Sequence, residues 1–241
     1  MLSTLRAALL ADPLIVLATI VMSTASLAAS LFDSTGRAQH RIAARWGRML
    51  LAIAGVRLRV EGAGRIGAGA CVFASNHASY MDIPVLLAGL PCPFRFMAKR
   101  SLWKVPFIGY HLSRAGHIPV ERRDARSALK SMAEAARIVR ERGVPVLVFP
   151  EAGRSPSGLR EFKEGAAYIA IKAGVPLVPV ALAGTRRVLP MDSLLVRPAA
   201  VTLRFGEPIP CSGLRLHDRE ALTARLRERI AALLEAAEVG V

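Results

Sequence analysis

Short apolar runs alternate with amphipathic stretches from residue 56 to the carboxyl end of the chain. Strands are predicted over residues 56–61, 70–74, 93–98, 116–120, 144–149, 177–182 and 200–205, and apolar runs such as 70–74 and 144–149 are typical of buried strands. Helices are predicted over 124–142, 161–173 and 218–238, and in the first and last of these the apolar residues recur every three or four positions. This alternation indicates an α/β fold: a single domain whose mostly parallel or mixed sheet is covered by helices.

The first 55 residues have a different pattern. Residues 13–32 contain no charged side chain, and a helix of twenty residues is about as long as the hydrocarbon core of a bilayer is thick. Three interpretations compete: a cleaved signal peptide, a single spanning helix, or half of a two-helix anchor that dips into one leaflet. Thr19, Ser23, Ser26 and Ser30 form a small polar stripe that suits packing against a second helix over residues 37–56. We expect a two-helix membrane anchor over residues 1–55, followed by a catalytic domain over 56–241.

The charge of the chain implies an anionic partner, because its net charge is +15 in 241 residues. Aromatic residues make up only 5% of the chain and no basic stripe is studded with them, so anionic membrane lipids are favoured over nucleic acid. The cysteines at 71, 92 and 211 lie far apart without a C-x-x-C pair, which fits a reducing compartment. No histidine or carboxylate cluster has the spacing of a metal site, so neither a metal nor a cofactor is expected.

The segment from Asn76 to Asp82 places a histidine and a carboxylate directly after a predicted strand. In open α/β sheets, chemistry collects at the carboxyl ends of the strands. There His77 could take a proton from a hydroxyl, while Asp82 fixes the tautomer of the imidazole. A structural alternative remains open, since Ser79-x-x-Asp82 resembles a capping box at the start of a helix. Both interpretations hold if one carboxylate oxygen serves each role.

Four blocks occur in an order known from one enzyme family. They are Asn76-His77-x-Ser79-x-x-Asp82, Gly116-x-Ile118-x-x-x-Arg122, Phe149-Pro150-Glu151 with Arg154-Ser155, and Val175-Pro176 with Pro179-Val180. Over roughly residues 56–206 the chain resembles the lysophosphatidic acid acyltransferase branch of the glycerolipid acyltransferases. It departs from the third block, where Ala152-Gly153 replaces the usual Gly-Thr.

The resemblance implies roles for particular residues. His77 and Asp82 would be the catalytic pair, and the substrate would be bound by Asn76, Ser79, Arg122, Glu151, Gly153, Arg154 and Lys163. Two arginines behind strands suit bidentate binding of a phosphate, although solvated surface charge is their ordinary alternative. Glu151 would orient an arginine, bind the acceptor glycerol or form an ion pair with Arg154. Gly153 would supply positive φ one place after the usual glycine.

The resemblance also implies the reaction. A fatty acyl group would pass from an acyl thioester, acyl-coenzyme A or acyl carrier protein, to the hydroxyl of lysophosphatidic acid, giving phosphatidic acid at the cytoplasmic face of the cell membrane. Glycerol 3-phosphate, a lyso-ornithine lipid and other lysophospholipids remain alternative acceptors. A lipid hydrolase or thioesterase could use the same dyad, and a non-catalytic basic membrane adaptor would need only the charge and the anchor.

Overall fold

A seven-stranded mixed sheet forms the centre of the computed structural model, which describes residues 7–121 and 123–238. Its strands are β1 (Arg57–Glu61), β2 (Val72–Ser75), β3 (Arg95–Lys99), β4 (Ile118–Val120), β5 (Val146–Val148), β6 (Leu177–Ala183) and β7 (Ala200–Phe205). Their order is β1-β7-β6-β2-β5-β3-β4, and only the β6–β7 pairing is antiparallel. The predicted α/β fold with a mixed sheet covered by helices is therefore confirmed.

Eight helices accompany the sheet in the described residues. They are α1 (Asp12–Ala29), α2 (Arg37–Ala54), α3 (Asp82–Gly89), α4 (Ile108–Arg114), α5 (Ala125–Arg142), α6 (Gly165–Ala173), α7 (Thr185–Val188) and α8 (Arg219–Glu238). Helix α5 begins after Asp124, whose side chain accepts the Arg126 N–H, and ends at Gly143 with φ 63°. These caps explain why the apolar periodicity predicted its boundaries so closely.

The sheet is buried on both faces. One face packs against α5, α6 and α8 through residues such as Val139, Ile169 and Leu226, which are buried almost completely. The other packs against α2 and α3, where Leu51 and Leu86 join the same cluster as Phe73. Burial on both faces explains why the parallel strands are continuous apolar runs rather than alternating ones.

Helix α2 is part of this second face. Leu50, Leu51 and Ala54 are buried, and a Cβ added at Gly47 would lie 2.7 Å from the carbonyl oxygen of Pro84 on α3. Glycine thus permits close contact between the two helices. Helix α2 therefore covers one face of the sheet.

Helix α1 behaves differently. With the turn before it, it forms one continuous helical stretch, Ala7–Ala29, and this is the one helix among the described residues that is long and apolar enough to cross a membrane. The predicted polar stripe of α1 contacts other helices: Thr19 accepts a hydrogen bond from Trp46 Nε1 at 3.1 Å, and Ser26 Oγ lies 2.7 Å from His111 Nδ1. The stripe therefore packs against α4 as well as against α2, the partner expected from the sequence.

Candidate active site

His77 lies just beyond the carboxyl end of β2, where the chain leaves the sheet before α3. Its Nδ1 is 2.7 Å from Oδ2 of Asp82, and the Asp82 side chain is fully buried while that of His77 is 14% exposed. An ionised carboxylate only accepts hydrogen bonds, so Nδ1 carries the proton and Nε2 presents a lone pair. The structure thus brings together the histidine and the carboxylate that the sequence singled out.

One carboxylate oxygen of Asp82 accepts all the hydrogen bonds that its side chain makes among the described residues. Oδ2 accepts hydrogen bonds from Ala78 N at 2.7 Å and Ser79 N at 3.0 Å, in addition to the imidazole. The Ser79 hydroxyl in turn accepts the Met81 N–H at 3.1 Å. Because α3 begins at Asp82 with Met81 as its N-cap and no side-chain cap bond, the predicted N-cap role of Ser79 is wrong. A single oxygen of Asp82 orients the imidazole and also holds the turn before α3. Oδ1 is buried and has no hydrogen-bond partner among the described residues.

Glu151 connects the loop after β5 to the loop after β2. Its Oε1 accepts the His77 N–H at 2.8 Å and its Oε2 accepts the Arg160 N–H at 3.0 Å, and the residue is only 4% exposed. Both of these bonds are to backbone N–H groups, and no arginine side chain among the described residues bonds to the carboxylate. The carboxylate instead holds the backbone that carries the imidazole.

Asn76 and Ser79 also bind the protein's own backbone. The Asn76 amide donates to Leu182 O at 3.0 Å and accepts from Leu182 N at 2.8 Å, which joins the end of β2 to β6. The Ser79 hydroxyl donates to Leu189 O at 2.8 Å. Both residues are buried and hold the framework of the site, and their contact with substrate stays a prediction.

The imidazole lines one of two apolar cavities and stacks on a residue that lines both. A cavity of about 440 Å³ is lined by His77, Tyr80, Phe96 and residues of α1, α2 and α4, and a larger one of about 890 Å³ lies beneath α5, α6 and α8. Phe149 lines both cavities, and its ring stacks on that of His77 with centroids 4.0 Å apart. The imidazole is therefore positioned beside the wall that the two cavities share.

The predicted cationic residues are separated. The guanidinium of Arg154 lies 3.6 Å above the ring of Tyr80, which lines the smaller cavity with His77. Lys163 is exposed, lines the larger cavity and has its ammonium 3.5 Å from the carboxylate of Glu161, so it is not beside His77. Arg122 lies outside the described residues.

The loop after β5 departs from the expected backbone. Positive φ occurs at Ala152 (55°), and Gly153 is not among the residues that adopt it. The prediction that Gly153 adopts positive φ is wrong. Positive φ occurs at residue 152, the position where the family has glycine. Ala152 therefore occupies a region that is costly for a residue with a Cβ.

Sequence reasoning missed three side chains. Phe149 was assigned only to the end of a strand, yet it supports the imidazole. Tyr80 lies inside the first block, and the guanidinium of Arg154 lies over its ring. Arg186 donates to Ser155 O at 2.9 Å beside the same loop, and its position after an apolar strand was a usable signal.

Two other histidines, His111 and His117, line the smaller cavity. Burial lowers the pKa of His111, and burial together with neighbouring His111 and Arg95 lowers the pKa of His117 well below its ordinary value. His117 Nδ1 accepts the Phe96 N–H at 2.9 Å, as a neutral imidazole must. No group of three or more histidine, cysteine or carboxylate side chains in the described residues is arranged to hold a metal ion.

Comparison with known proteins identifies the family. The sequence profile described as Acyltransferase matches residues 57–183, which is more than half of the chain. The chain belongs to the acyltransferase family. The matched range contains His77, Asp82, Glu151 and Arg154.

Relatives of this acyltransferase chain include enzymes from bacteria and plants. A 1-acyl-sn-glycerol-3-phosphate acyltransferase of Borreliella burgdorferi is 30% identical over 80% of this chain and 77% of its own length. A chloroplastic enzyme of the same name from Brassica napus is 40% identical over 51% of this chain, but the match spans only 36% of the Brassica protein. The chain thus covers about half or less of the first curated relatives, with 53% of the Cocos nucifera enzyme.

A solved structure has the same architecture. The crystal structure of the 1-acyl-sn-glycerophosphate acyltransferase of Thermotoga maritima superposes with a TM-score of 0.78 and 25% sequence identity. The alignment covers 94% of this chain and 96% of the Thermotoga chain. The agreement therefore includes helices on both sides of the sheet and the amino-terminal region, not only the matched central blocks.

Proposed function

We propose that this protein transfers a fatty acyl group from an acyl thioester to the free hydroxyl of lysophosphatidic acid, giving phosphatidic acid. The observation that carries the proposal is the His77–Asp82 pair beside the wall shared by two apolar cavities. The relatives from Borreliella and Brassica bear the name of this activity. Family membership supports acyl transfer, and the phosphate-bearing acceptor rests on those names and on Arg154.

The geometry suits general-base catalysis. The acceptor hydroxyl gives its proton to Nε2 of His77 as its oxygen attacks the thioester carbonyl carbon, and Asp82 stabilises the imidazolium that forms. The tetrahedral adduct then collapses, the carbon–sulfur bond breaks, and the imidazolium returns the proton to the leaving thiolate. This path needs no enzyme nucleophile, and the Ser79 hydroxyl in the loop beside the imidazole already donates to Leu189 O.

Two cavities match a reaction in which both substrates carry a fatty chain. Each cavity has a lining that is predominantly apolar, and they meet at Phe149 and Met97 next to the imidazole. An acyl chain transferred at their junction would lie in one cavity while the chain of the lysolipid lies in the other. Burial of about 0.8 kcal/mol per CH₂ group would supply the affinity for both.

Arg154 is the described cation best placed for the acceptor phosphate. Its guanidinium is stacked on Tyr80 at the cavity that contains His77, which fixes the plane of the group for bidentate contact. Arg122 remains a prediction from the sequence, and Lys163 is proposed only at the rim of the larger cavity. Neither a metal nor a cofactor enters the proposed reaction.

The membrane attachment is likewise proposed. Helix α1 exposes Leu14, Leu17 and Val21, and we place it in the cytoplasmic leaflet, where anionic lipids attract a chain with a net charge of +15. Helix α2 forms the second half of a hairpin and keeps its basic amino-terminal half at the surface. Acyl-coenzyme A or acyl carrier protein would then reach the site from the aqueous side.

The proposal is tested by product analysis. Purified protein is incubated with acyl-coenzyme A or acyl carrier protein and with separate lysophosphatidic acid, glycerol 3-phosphate, lyso-ornithine lipid and lysophosphatidylcholine, and the products are identified by mass. Phosphatidic acid as the main product supports the proposal. A preferred acceptor without a phosphate would redirect it to another lysolipid, and free fatty acid formed equally with and without acceptor would identify a hydrolase.

A further inference from the structure

A second set of exposed apolar side chains lies in the α/β domain, outside α1. Residues 102–110, which join β3 to the start of α4, form what we term the insertion segment. Five large apolar or aromatic side chains within these nine residues are exposed, namely those of Leu102, Val105, Phe107, Ile108 and Tyr110. Exposed apolar residues are ordinary when scattered singly, but such a concentration marks an interaction site.

The backbone of the segment is folded so that Phe107 points outward. Phe107 has φ 63° and ψ −50°, a conformation rarely adopted by a residue with a bulky side chain, and its side chain is 59% exposed. A Cβ at Gly109 would lie 2.2 Å from the Trp103 carbonyl oxygen, so only glycine permits the tight return of the chain. The strained position persists because the turn around it is closed by packing.

Three backbone N–H groups of the segment are bonded within it. Val105 N donates to Leu102 O at 3.2 Å, and Gly109 N donates to Val105 O at 2.8 Å. Ile108 N donates to Pro106 O at 2.7 Å. Backbone donors that are satisfied internally are the condition for entering an apolar phase without a large penalty.

The positive charge around the segment indicates an anionic partner. No acidic residue occurs between Ile83 and Val120, whereas exposed Lys99, Arg100 and Lys104 flank the apolar side chains. Basic residues beside an exposed apolar tip match the surface of a bilayer that contains anionic lipids, where the apolar part enters the acyl region and the cations meet the headgroups.

The segment is also continuous with α1. Ser30 Oγ lies 3.4 Å from the Tyr110 hydroxyl, the Arg114 guanidinium donates to Ser30 O, and His111 contacts Ser26. These contacts fix α4 to the same helix whose other residues are exposed and apolar. The two elements therefore offer one bilayer a joint surface.

We propose that the insertion segment enters the membrane alongside α1 and places the entrance of the smaller cavity at the lipid. Leu102 and Ile108 line that cavity together with His77, so a lysolipid could pass from the leaflet to the imidazole without crossing water. The inference goes beyond the proposed acyl transfer, because membrane insertion can be measured without substrate.

The test follows the tip of the segment. The chain contains two tryptophans, so Phe107→Trp in a full-length Trp46→Phe, Trp103→Phe background carries one fluorophore at position 107. With vesicles of phosphatidylcholine and phosphatidylglycerol, we expect its emission to shift to the blue and to be quenched by lipids brominated in the acyl chain. Unquenched, unshifted emission from vesicle-bound protein would overturn the proposal.

A second pair of variants retains both tryptophans. Phe107→Asp should weaken binding of the full chain to these vesicles by about tenfold, since an apolar contact is lost and a charge is introduced. Val60→Asp is the control, because Val60 is an exposed apolar residue on β1, at the opposite edge of the sheet. An equal loss of vesicle binding in both variants would contradict insertion. If Phe107→Asp changes the oligomeric state but not the vesicle binding, the segment is instead a contact between copies of the chain.

Discussion

Three hydrogen bonds fix His77. Its ring bonds to Asp82, its N–H bonds to Glu151 at 2.8 Å, and its carbonyl oxygen accepts the Ser155 N–H at 2.8 Å. The imidazole is also stacked on Phe149. A base held in this way does not have to be ordered when substrate binds, which is the advantage of preorganisation in catalysis.

Asp82→Asn separates the two roles of the carboxylate. Because Oδ1 has no partner among the described residues, an asparagine oxygen can replace Oδ2 as acceptor while its NH₂ group takes the vacant side. We expect the midpoint of thermal unfolding to change little and kcat to fall by about 10²- to 10⁴-fold, since the negative charge that stabilises the imidazolium is lost. Loss of stability with normal kcat would show that Asp82 is only a helix cap.

Ala152→Gly tests the backbone strain beside the site. Relief of about 1–2 kcal/mol of left-handed strain exceeds the entropic cost of glycine, so we expect a gain of about 0.5–1 kcal/mol in the free energy of unfolding. Ala133→Gly in α5 is the matched control and should lose about 0.5–1 kcal/mol. Chemical denaturation measures both, and equal destabilisation would refute the strain at Ala152.

At the scale of single residues, the sequence predicted which side chains carry charge and chemistry but not all of their partners. His77 and Asp82 are five residues apart in a loop and a first helical turn, so their contact follows from local geometry. The bonds of Asn76 to Leu182 and of Glu151 to Arg160 depend on which strands are neighbours and how far each loop reaches. Block matching therefore indicated these residues but not their backbone partners.

At the scale of elements, two loops act as one unit. The loops after β2 and β5 follow adjacent parallel strands, and Glu151 is the side chain that joins them. Its two carboxylate oxygens accept one hydrogen bond each, from the backbone N–H groups of His77 and Arg160. Correct placement of the base therefore depends on the carboxylate of the neighbouring loop.

Glu151→Gln should disturb that placement. A glutamine has one acceptor oxygen, so its NH₂ group must face either the His77 N–H or the Arg160 N–H. If Glu151 positions the base, kcat should fall while KM for the acceptor stays near the parent value. A rise in KM at constant kcat would instead show that Glu151 binds the acceptor glycerol. Steady-state kinetics with varied lysophosphatidic acid distinguishes the two.

The elements themselves were well predicted, because their causes are local. Apolar runs gave all seven strands within a few residues, and periodicity with a cap gave α5. The bonding of the α1 stripe to α4 was not predictable: Ser26 and His111 are 85 residues apart, and only the folded chain brings them together. The sequence therefore showed the polar stripe of α1 but not that α4 packs against it.

At the scale of the molecule, α1 and α2 differ in what they support. Helix α2 covers the sheet with Leu50 and Leu51, while α1 leaves most of its apolar side chains exposed. The sequence analysis treated both as an anchor over residues 1–55, because hydropathy alone does not tell a helix packed on a sheet from one packed in lipid. The structure makes the two separable by truncation.

Deletion of residues 1–34 should leave a folded chain that partitions more into the aqueous phase, while deletion of 1–55 should cause aggregation because it uncovers the sheet. Binding of the shorter deletion to anionic vesicles should weaken with salt, since its remaining contacts include basic side chains. Detergent partition and circular dichroism check both. A folded, monomeric 1–55 deletion would contradict the packing role of α2.

The central claim is that His77 drives acyl transfer from the thioester to lysophosphatidic acid. The most direct test measures thiol release and phosphatidic acid together, for the parent protein and for His77→Ala with matched unfolding midpoints. The account predicts equal rates of the two products in the parent and a loss of both by about 10²- to 10⁴-fold in the variant. Phosphatidic acid formed by His77→Ala at near the parent rate would contradict it.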